Sequence, residues 1–283
     1  MRPKYFLFLL CLLLNSFLFS QTRGKLFVIG GAQTKEITKK FVELAGGENA
    51  RIVVIPNASS NKVRSGESQK NEFIELGAKA EYIIFSKENA DDPSNLEKLN
   101  WANAVYFTGG DQSLLTRDLL GTKLLEKIFE LHNKGGLVGG SSAGAAVMSE
   151  IMITGNELIN KDTVQSFITI QKGNIETARG FGFVKNAIID QHFIKRKRHN
   201  RLISLMCEHP DLIGIAIDEA TAIILYPDDT FEVFGENQVM VFDPTESENV
   251  RLDKNGNFGI TNIKIHLLIH GDKFDLKTKR VID

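Results

Sequence analysis

The sequence predicts an α/β fold: a doubly wound, mostly parallel sheet with β-hairpins towards the carboxyl terminus. Three observations carry this expectation. Short runs such as KLFVIGG, RIVVIPNAS, AVYFTGG and LVGGSS are apolar throughout, so both faces of their strands are covered. Amphipathic segments with helical spacing alternate with them. Three strand ends carry paired glycines, Gly30-Gly31, Gly109-Gly110 and Gly139-Gly140, and ligands in such sheets bind outside the carboxyl ends of strands.

The elements follow in order. KLFVIGG is the first strand. TKEITKKFVELAGG is a helix that turns Ile37, Phe41 and Leu44 inward and stops at Gly46-Gly47. RIVVIPNAS is the second strand, residues 61–77 a helix, AEYIIF the third strand and AVYFTGG the fourth. SLLTRDLLGTKLLEKIFELHNKGG is helical with a break at Gly121. LVGGSS is the fifth strand, and Ala143–Glu150 opens a further helix. Residues 154–180 have weak periodicity and read as loop with short strands. NAIIDQHF is a strand and residues 195–208 a helix. LIGIAIDEATAIILYPDDTFEVFGENQVMVFD alternates strands about the turn PDDT, and the carboxyl-terminal KIHLLIHGDKFDLKTKRVI reads as a hairpin around HGD. No linker, low-complexity tract or repeat interrupts the chain, so residues 21–283 read as one domain.

Bulk properties exclude several classes. Of the 283 residues 42% are hydrophobic and 24% charged, with a formal net charge of −1, so no global field favours nucleic acid or an anionic membrane. RGFGFVKN at 179–186 imitates an RNA-recognition signature but has Asn186 where an aromatic is required. The two cysteines, Cys11 and Cys207, have no zinc-type spacing, and no metal or cofactor motif is present. Arg2 and Lys4 precede an apolar run, Tyr5 to Phe19, that is shorter than the roughly 20 residues a membrane-spanning helix needs. Residues 1–20 therefore read as a signal peptide, which implies export to the periplasm or beyond and no stable membrane insertion after its removal.

The chemistry begins at the bend GGSSAGAAV, residues 139–147. Gly140-Ser141-Ser142-Ala143-Gly144 fits G-x-S-x-G, with a strand before and a helix after. The central residue of such an elbow takes a strained conformation and projects its side chain above the sheet. Ser142 is then the reactive hydroxyl and Ser141 a filler. The helix start and the Ala143 amide face an oxyanion.

A serine hydroxyl needs a base. Of six histidines, His132 ends a helix, where it complements the dipole, His209 lies in a turn, His266 and His270 lie in the last hairpin, and His199 is in the basic helix. His192 alone follows a strand end, after Asp190-Gln191. The acid that orients it should also leave a strand end, and IGIAIDEATAII offers Asp218 and Glu219. FIKRKRHNRLISLM carries Lys195, Arg196, Lys197, Arg198 and Arg201; Arg198 and Arg201 share a helix face and could grip a carboxylate in two-pronged fashion.

Together FTGGDQ (107–112), GGSSAGA (139–145), DQHFIKRKRHNRL (190–202) and IDEATA (217–222) resemble the cyanophycinase branch of the serine peptidase family that also contains aspartyl dipeptidase. The resemblance spans nearly the whole chain after residue 20. It implies a glutamine amidotransferase-like, or flavodoxin-like, sheet. It also implies Ser142 as nucleophile, His192 as general base and Glu219 as the orienting acid, with Gly110 joining Ala143 as oxyanion donors. Gln112, Asp190, Gln191, Arg196, Arg198 and Arg201 match positions that line the substrate pocket. The implied substrate is cyanophycin, a polyaspartate bearing arginine on each side-chain carboxylate, cut to β-aspartyl-arginine dipeptides. The chain departs from the family at Ser141, commonly threonine, and at Ala220, commonly acidic or polar; residues 154–180 resemble it least.

The order Ser, His, acid differs from the Ser, acid, His order of α/β-hydrolases and argues against an ordinary esterase. Two other readings stay open: an aspartyl or β-aspartyl dipeptidase of the same family, and a non-catalytic secreted protein that binds an anionic ligand. The sequence is equally compatible with a monomer and a homodimer.

Overall fold

The computed structural model describes residues 23–159 and 167–283. The expected signal peptide, with Arg2, Lys4 and Cys11, lies outside the described residues, as does 160–166 of the weakly patterned segment.

The first half alternates strand and helix: β1 (Leu26–Ile29), α1 (Lys35–Leu44), β2 (Arg51–Ile55), α2 (Lys62–Glu75), β3 (Lys79–Tyr82), α3 (Pro93–Trp101), β4 (Ala104–Phe107), α4 (Gln112–Leu119), α5 (Lys123–Asn133), β5 (Leu137–Ser141) and the single turn α6 (Ala143–Ala146). The second half is strand-rich: β6 (Ile151–Glu157), β7 (Ile175–Arg179), β8 (Ala187–Gln191), α7 (His199–Glu208), β9 (Ile213–Ile217), β10 (Thr221–Leu225), β11 (Thr230–Gly235), β12 (Val239–Asp243), β13 (Glu248–Leu252), β14 (Phe258–Thr261), β15 (Lys264–Leu268), β16 (Lys273–Asp275) and β17 (Arg280–Ile282).

A nine-stranded sheet runs β17-β16-β11-β10-β1-β5-β4-β2-β3. The pairings β1–β5, β5–β4, β4–β2 and β2–β3 are parallel, and from β10 outward the strands are antiparallel. β1, β4 and β5 are buried over almost their whole length, as their continuous apolar runs require. Helices cover both faces. Ile37 and Phe41 of α1 pack with Phe27, Phe73 and Tyr106 on one side, while Leu115, Leu124 and Ile128 join Val28, Val105 and Val138 on the other. A smaller sheet, β15-β12-β9-β8, lies beside it, with β8 and β9 parallel. The ends of β8 and β9 therefore emerge together, as do those of β1 and β5.

Several expectations change. The helix expected to run from Ala143 to Glu150 is one turn. The carbonyls of Val147, Met148 and Glu150 are taken instead by the amides of Phe181, Val184 and Gly180, which pulls the chain into β6. This turn therefore contributes little macrodipole. The aromatics of RGFGFVKN, Phe181 and Phe183, are core residues. The basic stretch 195–198 is a turn with Lys197 at φ +52°, and α7 begins only at His199. No hairpin forms around HGD: β15 pairs with β12 in the small sheet, β16 with β11 in the large one, and the hairpin is β16–β17. His132 does not serve the α5 dipole as a cation. It is buried against Phe183, and burial, aided by the charge of Arg23, lowers its pKa to about 4. α3, with Pro93 in its first turn after Asp92, carried a readable start signal that the strand-and-helix pattern passed over.

Candidate active site

The site is assembled by the end of β1. Its last residue and the two glycines after it present three successive carbonyls. Ile29 O accepts from the amide of Ser142 at 3.0 Å, Gly30 O from that of His192 at 2.8 Å, and Gly31 O from that of Ala220 at 2.9 Å. Three segments far apart in sequence are thus held side by side by one short stretch of backbone. Gly31 sits at φ +122°, and a Cβ there would lie 2.1 Å from the His192 ring. Only glycine lets the backbone lie flat against the imidazole.

Ser142 follows β5 at φ +55° and ψ −107°, a conformation costly for a side-chain-bearing residue. Gly140 and Gly144 permit it. A Cβ on Gly140 would strike Gly144, and one on Gly144 would strike the Phe107 carbonyl. His192, also at positive φ (+50°), follows β8, and Glu219 follows β9. The His192 Nε2 is 2.9 Å from Ser142 Oγ, and Nδ1 is 2.6 Å from Glu219 Oε1. The Glu219 turn is held from behind by Asn237, whose side-chain amide donates to the Glu219 carbonyl at 2.8 Å. Asp218, the other candidate acid, is buried and accepts from the Lys195 amide at 3.0 Å, so it braces the turn after His192.

Burial pushes the His192 imidazole below its ordinary pKa. The hydrogen bond to Glu219 works against this, and the charges of Arg196 and Arg198 add to it. The ring is therefore neutral at pH 7, the state in which it can take a proton from a hydroxyl.

The amides of Gly109, Gly110 and Ala143 donate to no protein acceptor among the described residues. Gly109 rather than Gly110 lies against Ser142: a Cβ on Gly109 would be 3.4 Å from Ser142 Cβ and 3.9 Å from Oγ, whereas one on Gly110 would strike the Ala58 carbonyl.

The residues expected on the substrate wall are placed unevenly. Gln112 is buried and donates to the carbonyls of Ile153 and Thr154, tying α4 to β6. Asp190 and Arg201 form a two-pronged interior ion pair, Nε and Nη2 donating to the two carboxylate oxygens, with the Arg201 side chain only 2% exposed and its guanidinium over the Phe167 ring. Arg201 is therefore not free to grip a ligand carboxylate. Arg198 Nη1 donates to the Gln191 carbonyl and to its side-chain oxygen and lies 3.9 Å from Asp190, so it braces the end of β8. Arg196 differs: its side chain is 53% exposed, with Nε 4.0 Å from Glu219.

Beside α2 a cleft of about 420 Å³ reaches the serine elbow, lined by Gln33, Arg64, Gln69, Glu72, Tyr106, Gly109 and Ser141. The sequence reading singled out Ser141 and Gly109 and missed the others. Those are polar residues of one helix, a strand and a loop, and no short pattern links them.

Residues 26–233 match the model of peptidase family S51. The chain belongs to this family. It is thus a serine-type peptidase. Relatives named cyanophycinase include one from Geminocystis herdmanii, 33% identical over 90% of this chain and 95% of its own, and one from a Nostoc species, 35% identical over 92% and 88%. Among solved structures, a peptidase from an acI-B1 actinobacterium matches with a TM-score of 0.66 at 24% identity, covering 90% of this chain and 98% of its own. A putative peptidase E from Listeria monocytogenes matches with a TM-score of 0.52 at 19% identity, covering 76% and 100%. These two likenesses concern the fold of this S51 member. They agree with the α/β fold expected from the sequence.

Proposed function

We propose that this peptidase hydrolyses cyanophycin, cutting aspartyl backbone bonds and releasing β-aspartyl-arginine dipeptides, with Ser142, His192 and Glu219 as its catalytic triad. The observation that carries the reading is the unbroken hydrogen-bond path from Ser142 Oγ through His192 to Glu219. Curated relatives named cyanophycinase, similar over nearly their whole length, support the choice of substrate.

The chemistry follows from the geometry. His192 Nε2 takes the Ser142 proton as the hydroxyl attacks the aspartyl carbonyl. Glu219 fixes the tautomer and stabilises the imidazolium. The Ala143 amide, with an amide of the Gly109-Gly110 pair, holds the oxyanion; loss of one such donor costs roughly 3 kcal/mol in comparable sites. His192 then protonates the leaving amine, and water, deprotonated by the same ring, releases the acyl group.

The test is mass spectrometry of soluble products after incubation with the insoluble polymer. β-Aspartyl-arginine is the expected product. An intact polymer beside efficient cleavage of simple aspartyl dipeptides would move the assignment to a dipeptidase. We also propose export, on the strength of the basic start and short apolar run at residues 1–20. Amino-terminal sequencing of protein from the periplasmic fraction and the medium checks it, and an uncleaved chain confined to the cytoplasm would contradict it.

A further inference from the structure

The cleft between the serine elbow and α2 carries two opposite charges with no ionic partner among the described residues. Glu72 is exposed, and its carboxylate accepts only the side-chain amides of Gln33 (3.4 Å) and Gln69 (3.3 Å). The Arg64 side chain is exposed and makes no hydrogen bond or ion pair among the described residues. Both lie on α2, eight residues or about 12 Å apart along the axis. The floor between them and the reacting serine is built rather than incidental. Buried Tyr106, kept protonated by its burial and by the nearby Glu72 charge, donates to Gln33 Oε1. That bond turns the Gln33 amide nitrogen outward to Gln69 Oε1 at 3.0 Å and to Glu72. The network fixes the Glu72 carboxylate in place without neutralising it.

From this arrangement we infer that the cleft is the subsite for a zwitterionic side branch of the substrate: Glu72 takes its guanidinium and Arg64 its carboxylate. This rests on the proposed cyanophycin reading, in which every arginyl branch carries both groups. It also accounts for the placement of Asp190 and Arg201, which cannot serve that end because they are spent on each other inside the fold. Glu72 and Arg64 are specificity-determining residues here and take no part in bond making.

The experiment compares three soluble aspartyl oligomers: one with arginyl branches, one with neutral citrullyl branches, and one with arginyl branches whose carboxylates are amidated. Wild-type enzyme is expected to prefer the arginyl oligomer over both others in kcat/KM. In Glu72→Gln the arginyl-over-citrullyl preference falls about tenfold, carried by KM. In Arg64→Ala the preference for the free carboxylate over its amide collapses while that for arginyl over citrullyl persists. A loss shared equally by all three oligomers would mark a structural role only and overturn the inference, as would preferences that neither substitution moves. If the wild-type enzyme leaves all three oligomers intact but still cleaves other aspartyl peptides, the cyanophycin reading itself falls and takes the subsite with it.

Discussion

At the scale of single residues, the site depends on side chains whose states are set by their surroundings. Ser142→Ala should abolish hydrolysis and leave the thermal midpoint within a few degrees; near-normal turnover would reject Ser142. The pH dependence follows from His192. Its pKa is depressed by burial, so the neutral ring persists below the ordinary histidine range, and the acid limb of kcat/KM should lie below pH 6.5. Glu219 pulls that pKa upward. Glu219→Gln should therefore move the limb to still lower pH while lowering kcat strongly, which a pH–rate series on both proteins checks. An effect on KM alone would make Glu219 a binding residue. Ser142 and His192 were legible in the sequence because a glycine-flanked elbow and a histidine at a strand end are local patterns. Gly31 was visible only as the end of a strand: its contact with the His192 ring spans 161 positions and leaves no local trace.

At the scale of elements, the comb of carbonyls at Ile29, Gly30 and Gly31 sets the register between β5, β8 and the turn after β9. A methyl group at Gly31 cannot be accommodated beside the ring. Gly31→Ala should cut kcat by about a hundredfold, since small misplacements near reacting groups carry costs of that size. Retained fluorophosphonate reactivity at the wild-type rate would contradict this. The Asp190–Arg201 pair, buried between β8 and α7, concerns stability. Arg201→Ala removes both charged hydrogen bonds to the buried Asp190 carboxylate, leaving it the Gln191 amide and Arg198 Nη1 at 3.9 Å, and should lower unfolding free energy by about 3 kcal/mol in urea titrations. A KM increase without loss of stability would restore Arg201 to the substrate. The buried parallel strands were readable because they are apolar on both faces. The β15–β16 link was misread because two apolar runs flanking a turn look alike whether they pair with each other or with strands of two different sheets, and that choice is made by β11 and β12. The short α6 likewise reflects carbonyls claimed by a segment thirty or more residues on.

At the scale of the whole molecule, stability should decline in acid for a nameable reason. His132 is buried and neutral with a pKa of about 4, below the 6.5 of an exposed histidine. The unfolded chain binds that proton first, so the stabilisation is complete above pH 6.5 and is lost as pH falls towards 4, by roughly 3 kcal/mol in total. Urea unfolding of the wild-type protein and His132→Phe across that range should show a flatter profile for the variant; parallel profiles would assign the acid loss elsewhere. The convergence of three distant segments on one hydroxyl is also a property of the whole fold, and the proposed chemistry stands on it. Mass spectrometry of the intact protein and of its proteolytic peptides after treatment with a fluorophosphonate tests it most directly. The expected result is a single adduct on the peptide containing Ser142, absent from Ser142→Ala and slowed in His192→Ala, with hydrolysis lost in step with labelling. An adduct elsewhere, or full hydrolytic activity in the labelled enzyme, would contradict it.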